Sequence, residues 1–177
     1  MSEKQIFTAA GRSVAFAVEG AGPALVIVAD QGSELAGLAG LSHLVSEADF
    51  RVVLIETDRA EDVVDLLDSL DITDAWIGGH GSGGVVARTI AIENHDRVNG
   101  VLLLGVAGEA PALAEGIPVL VVQASDDEVT PPANGEALRD SAPGLVSVVT
   151  IDGGGHQFSE TRAGETAWAI EDYLDWD

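Results

Sequence analysis

The sequence predicts a doubly wound α/β fold, with a mainly parallel sheet and an N-terminal antiparallel hairpin. Two observations carry this expectation. Apolar runs rich in β-branched residues recur at 25–28, 52–55, 75–77, 101–104, 119–122 and 146–151, and continuous runs of that kind mark strands covered on both faces. Between them lie segments whose apolar residues repeat at helical spacing. Strand and helix therefore alternate along nearly the whole chain, as they do when right-handed crossovers join parallel strands.

The elements follow in order. Residues 6–9 and 14–18, joined across Gly11, read as the hairpin. Strand 25–28 precedes a helix over 34–48, and strand 52–55 precedes a helix over 61–72. In that helix Val63, Val64, Leu67 and Leu70 form one face, and Asp62, Asp65 and Asp68 are expected to face water. Strand 75–77 runs through a glycine-rich turn into a helix over 83–92, apolar nearly all round and so expected to be buried behind the turn. After strand 101–104 the connection 105–116 has room for one short helix, 110–115, and no cap domain. Strand 119–122, a helix over 134–141, strand 146–151 and a last helix over 160–175 complete the order, with Ala163, Ala167, Ile170 and Leu174 facing inward. No repeat or linker divides the 177 residues, so a single domain over 1–177 is expected.

Composition narrows the function classes. With 46% hydrophobic and 21% charged residues the chain is globular. The absence of cysteine rules out disulfides, thiol catalysis and thiolate metal sites. Eight basic residues against 30 acidic give a net charge of −22, which disfavours nucleic acid and anionic membrane surfaces as partners. Lys4 is the only lysine, and the acids are spread along the chain with no acidic tail. That pattern resembles proteins of salt-accumulating halophiles, where screening over about 3 Å at 1 M removes self-repulsion. The first residues are polar and no apolar run reaches membrane-spanning length, so neither a signal peptide nor a transmembrane helix is expected, and the location expected is cytoplasmic.

Strand C-terminal ends gather along one edge of such a sheet, so functional residues are expected just after strands. Three segments qualify. Gly79-His80-Gly81-Ser82-Gly83-Gly84 lies between an apolar strand and an apolar helix, the setting of a nucleophile elbow, G-x-S-x-G. Ala124-Ser125-Asp126-Asp127 follows the strand at 119–122, and Gly153-Gly154-Gly155-His156 follows the strand at 146–151. In order and placement the three resemble the nucleophile, acid and histidine segments of the α/β-hydrolase superfamily. The resemblance covers nearly the whole chain and implies an α/β-hydrolase-like fold. Gly79 to Gly84 looks like its G-H-S-x-G-G, Ala124 to Asp127 like its G-x-x-D loop, and Gly155-His156 like its G-H.

Carried over by position, the resemblance implies His156 as general base and Asp127 as its orienting acid, with Asp126 the alternative. It places Gly81 where the nucleophilic serine belongs. Ser82 comes one residue late, at the position whose backbone N–H normally serves the oxyanion hole. An elbow nucleophile is strained by on the order of 1–3 kcal/mol at positive φ, a conformation glycine adopts freely. The exchange is mild structurally and severe chemically, because no acyl-enzyme forms without a hydroxyl. After strand 25–28 the family usually carries His-Gly. Here the residues are Ala29-Asp30-Gln31-Gly32, so the Gln31 amide is the remaining donor and the Asp30 carboxylate opposes a developing oxyanion.

The expected function is a hydrolase scaffold of esterase or thioesterase type that is inactive or weakly active as a serine hydrolase and binds a small molecule or a protein. Three alternatives remain: an ester or acyl hydrolase using Ser82 or water activated by His156 and Asp127, an inactivated variant of a serine hydrolase, and a cofactor-free enzyme using the His–Asp pair as general base. The expected ligand is small and ester-like. No cofactor is expected, since Asp30-Gln31-Gly32-Ser33 is not a dinucleotide fingerprint, and no metal, since no pair among the four histidines has ligand spacing. His80 is expected to be packed, and His43 and His95 structural or exposed.

Overall fold

The computed structural model describes residues 4–108 and 110–174. Its strands are β1 (Gln5–Ala9), β2 (Arg12–Glu19), β3 (Ala24–Val28), β4 (Arg51–Ile55), β5 (Ala75–His80), β6 (Val98–Leu104), β7 (Val119–Ala124) and β8 (Val146–Ile151). They form one sheet in the order β1-β2-β4-β3-β5-β6-β7-β8. The hairpin turns at Ala10 and Gly11, both at positive φ. β2 lies antiparallel to β1 and β4, and every later pairing is parallel. The helices are α1 (Ala39–Ser46), α2 (Ala60–Ser69), α3 (Gly83–Glu93), α4 (Pro132–Ser141), α5 (Phe158–Thr161) and α6 (Ala163–Leu174).

Alternation along each central strand feeds two cores. Val26 and Val28 of β3 join Ile77, Leu103 and Val121 on the side covered by α2 and α3. Leu25 and Ile27 join Leu102, Leu104, Leu120 and Val122 on the side covered by α1 and α6. This two-sided burial is why the strands read as unbroken apolar runs. The chain leaves β3 for β4 on one side, then returns to β5 on the other. The connections after β3 and β5 therefore part in opposite directions and open a crevice at the strand ends, the place where open α/β sheets bind ligands.

Four expectations need correction. Asp62 does not face water: it is fully buried, gripped by both terminal nitrogens of Arg12 (Nη1 at 2.7 Å) and by the Thr57 hydroxyl. Burial alone would raise its carboxyl, but those donors outweigh burial and hold it below the usual carboxylate range. Asp65 and Asp68 are exposed as expected. The expected helix at 110–115 is absent, its described residues being coil that ends in a turn at Glu115-Gly116. A segment that short, closed by Gly116 and Pro118, does not recover the cost of helix nucleation. The helix at 34–48 divides into a 3-10 turn, Leu35–Leu38, and α1. The last helix breaks at Arg162, φ −128°, into α5 and α6; its expected end at Asp175 lies outside the described residues. Among the described residues no helix is long and apolar enough to cross a membrane.

Candidate active site

The turn between β5 and α3 is built from glycines because nothing larger fits. A Cβ on Gly79 would lie 2.0 Å from the Gly83 carbonyl carbon, and one on Gly83 would lie 2.1 Å from the Val28 carbonyl oxygen. The strand end, the helix start and β3 are in backbone contact at this point. Between them Gly81 has φ +54° and donates its N–H to the Leu104 carbonyl. The backbone thus takes the left-handed conformation that the motif requires at this position, and Ser82 enters the first turn leading to α3.

The loop after β7 separates its two acids. Asp127 turns inward, 2% exposed, and accepts the backbone N–H groups of Val129 and Thr130, the Thr130 hydroxyl at 2.7 Å and His156 Nδ1 at 3.0 Å. Its neighbour Asp126 instead accepts the Gly155 N–H at 2.9 Å, holding the loop that delivers His156. Gly153, Gly154 and Gly155 all have positive φ and bend that loop back over the sheet edge. His80, buried at the end of β5, donates Nε2–H to the His156 carbonyl at 2.7 Å and stacks on its ring, centroids 4.5 Å apart. The ring of His156 is therefore held on its face and at one edge.

Its other edge meets Asp30. His156 Nε2 lies 2.7 Å from Asp30 Oδ2, while Asp30 Oδ1 accepts the Ser82 N–H at 3.0 Å and the Ser82 hydroxyl at 2.7 Å. The Gln31 N–H donates to Ser82 Oγ at 2.8 Å. A Cβ added at Gly81 would come within 2.8 Å of Asp30 Oδ1 and 2.9 Å of its Cγ. The Asp30 carboxylate thus occupies the space that a side chain at position 81 would enter. The two amides expected to serve an oxyanion, those of Ser82 and Gln31, both have internal partners.

Below the raised value of the imidazole the charges are arranged minus, plus, minus. Burial alone would lower the His156 imidazole, but hydrogen bonds to Asp30 and Asp127 outweigh it and raise the group above its ordinary value. Burial opposes ionisation of Asp30 and Asp127 as well. Bonds from Ser82 and His156 overcome it at Asp30, and bonds from Thr130 and His156 at Asp127, so both are held below the usual range. His80, by contrast, is pushed down by burial. Asp30, His80 and His156 also offer ligand atoms within 4.8 Å of one another, a grouping that sequence spacing does not reveal. Both ring nitrogens of His156 face carboxylates, so a cation there would have to displace a proton.

A pH dependence of stability follows. His156, raised in the folded chain, adds stability in full below about pH 6.5, which is lost as pH rises through its folded value. Asp30 and Asp127, depressed when folded, add stability above about pH 4, lost as pH falls through their folded values. The thermal midpoint of the wild type should therefore exceed that of His156→Gln most between about pH 4 and 6.5, and the gap should narrow above. Melting both proteins across pH 4–9 checks this; a gap that widens with alkali contradicts the ion-pair arrangement.

Helices on both faces of a mainly parallel sheet, with glycine turn, acid and histidine each following a strand, define an α/β-hydrolase architecture. The sequence model of the alpha/beta hydrolase family matches residues 20–164, and the chain belongs to that family. No curated relative matches it. Among solved structures it is similar to a hydrolase from Pseudomonas aeruginosa PA01, at 17% identity and TM-score 0.84, covering 97% of this chain and 98% of that one. It is also similar to a predicted CIB-like hydrolase from Thermoplasma acidophilum, at 14% identity, TM-score 0.82 and 98% coverage of both. Est1E from Butyrivibrio proteoclasticus is similar at 14% identity, TM-score 0.80 and 97% coverage of both. At such identities these likenesses concern the fold.

Proposed function

We propose that this chain is a ligand-binding member of its family that does not carry out serine acyl transfer. The observation that carries the reading is the Asp30 carboxylate, lodged where the nucleophile's side chain belongs and bonded to both the Ser82 amide and His156. Three requirements of acyl transfer fail together: a hydroxyl at position 81, a free oxyanion donor and a base nitrogen open to the nucleophile, since Asp30 occupies His156 Nε2. Ser82 does not replace the missing nucleophile, because its hydroxyl donates to Asp30 rather than to His156. Water activation by His156 and Asp127 fares no better, since both ring nitrogens of His156 are engaged by carboxylates and neither presents a free lone pair to a water.

The binding volume lies beside this cluster. A cleft of about 430 Å³ is lined by Asp30, Gln31, Ser33, Glu34, Glu56 and Lys4, among others. Its carboxylates outnumber its single lysine, which favours a neutral or cationic small molecule over an anion. Among the described residues the connection between β6 and β7 forms no cap over the sheet edge, so ligands reach the cleft from solvent. The dispersed acids fit a protein working in a salt-rich cytoplasm.

Hydrolysis of short-chain activated esters at molar salt tests the reading. Wild type and His156→Ala are both expected at the background rate. Saturable turnover by the wild type that disappears in His156→Ala overturns the proposal.

A further inference from the structure

Arg88, on α3, is only 7% exposed. Its Nε is buried without a hydrogen-bond partner among the described residues. None of the ion pairs in the described structure includes it, in a chain with 30 acidic side chains to choose from. Burial with no opposing carboxylate pushes its guanidinium down from its ordinary value. An uncompensated buried cation is costly, and most buried polar groups have partners.

The side chain lines a cavity of about 240 Å³. Its other walls are Val106, Ala107, Gly108 and Ala110 from the connection after β6, and Asn134, Ala137, Leu138 and Ser141 on α4. Asn134 fixes one wall to another by donating Nδ2–H to the Val106 carbonyl at 2.8 Å. The cavity shares no lining residue with the Asp30 cleft. We propose that it is an anion-binding site, with Arg88 as the recognising group, and that its ligand is the carboxylate of a small aliphatic acid.

The chemistry selects that class. One guanidinium presents a planar fork that matches a carboxylate with two parallel hydrogen bonds. It supplies a single positive charge, which balances a monoanion and leaves a phosphate dianion half neutralised in a chain of net charge −22. The alkyl side chains of Val106, Ala110, Ala137 and Leu138 suit a short hydrocarbon tail. The inference does not depend on whether the Asp30 site turns over substrate.

The test is a titration of the full chain with sodium butyrate at constant ionic strength, following the arginine Nε–H signals by NMR and the thermal midpoint in parallel. One of the seven arginine signals is expected to move and saturate, with a rise in the wild-type midpoint that grows with ligand concentration. Arg88→Met is expected to lose both responses, and Arg88→Lys to keep the midpoint rise with weaker affinity. If Arg88→Met does not fold, Arg88→Lys and the wild-type spectrum still decide. Equal midpoint rises in the wild type and Arg88→Met, or no saturation in the wild type, overturn the site. Inorganic phosphate binding as tightly as butyrate overturns the choice of carboxylate. Glu109, whose sequence neighbours line the cavity, supplies the last arm: butyrate binding that appears only in Glu109→Gln shows that the chain's own carboxylate fills the site and overturns the proposal.

Discussion

Gly81→Ser alone is expected to leave ester hydrolysis at background, whereas Gly81→Ser combined with Asp30→Ala raises it by at least about 100-fold, the scale of one oxyanion donor. The single change puts a hydroxyl on the right residue in the wrong surroundings. A Cβ there already approaches Asp30 Oδ1 to 2.8 Å, so the new side chain and the carboxylate compete for one space. Asp30 would also keep the Ser82 amide and His156 Nε2. Removing the carboxylate together with the glycine frees all three elements at once. His156 retains Asp127, at 3.0 Å, as its orienting partner, and loses the second carboxylate that occupies its Nε2 and raises the imidazole. Asp30→Ala alone supplies no nucleophile and should stay near background. Steady-state rates for the four proteins with short-chain activated esters decide the matter. A single Gly81→Ser protein as active as the double variant would show that Asp30 does not block the site.

Gly79→Ala is expected to destabilise the chain by about 3 kcal/mol, the upper end for overpacking, lowering the thermal midpoint by roughly 10 °C for a domain of this size. The added methyl meets backbone: the Gly83 carbonyl carbon at 2.0 Å, its oxygen at 2.2 Å and the Gly84 nitrogen at 2.3 Å. A crowded side chain can rotate away, but a helix start pinned between β3 and β5 can only move as a body. Gly40→Ala, whose added Cβ would have nothing within 4 Å, serves as the control. A Gly79→Ala midpoint within about a degree of the control would mean that α3 is far less firmly seated than its contacts imply.

Much of this architecture is legible in the residues because burial on both faces leaves a plain mark. The runs at 25–28, 119–122 and 146–151 became β3, β7 and β8 with boundaries moved by at most two residues. The glycine turn and the pairing of Asp127 with His156 are legible for a related reason, since each sits in a short motif after a strand. What stays hidden depends on partners distant in sequence. Asp30 and His156 are 126 positions apart. Its place after β3 hints that Asp30 disfavours an oxyanion, yet only the fold shows the carboxylate inside the space beside Gly81. Asp62 misleads in the same way: helical spacing assigns it to water, and Arg12, 50 residues earlier, draws it in. Arg88 passes unnoticed within an apolar helix because its significance is the absence of a partner.

The charge triplet at the sheet edge has a consequence in concentrated brine. Dissolved ions weaken attractions they can surround, and at 1 M they do so within about 3 Å. His43 and Glu47, 52% and 64% exposed, stand where those ions circulate. The His156 and Asp127 side chains, 12% and 0% exposed, do not. As salinity rises the outer pairings fade, while the clasp of His156 between Asp30 and Asp127 keeps its grip. In the saltiest water, the tie that joins the ends of β3, β7 and β8 persists, together with the buried Arg12–Asp62 pair, after the exposed pairings have faded.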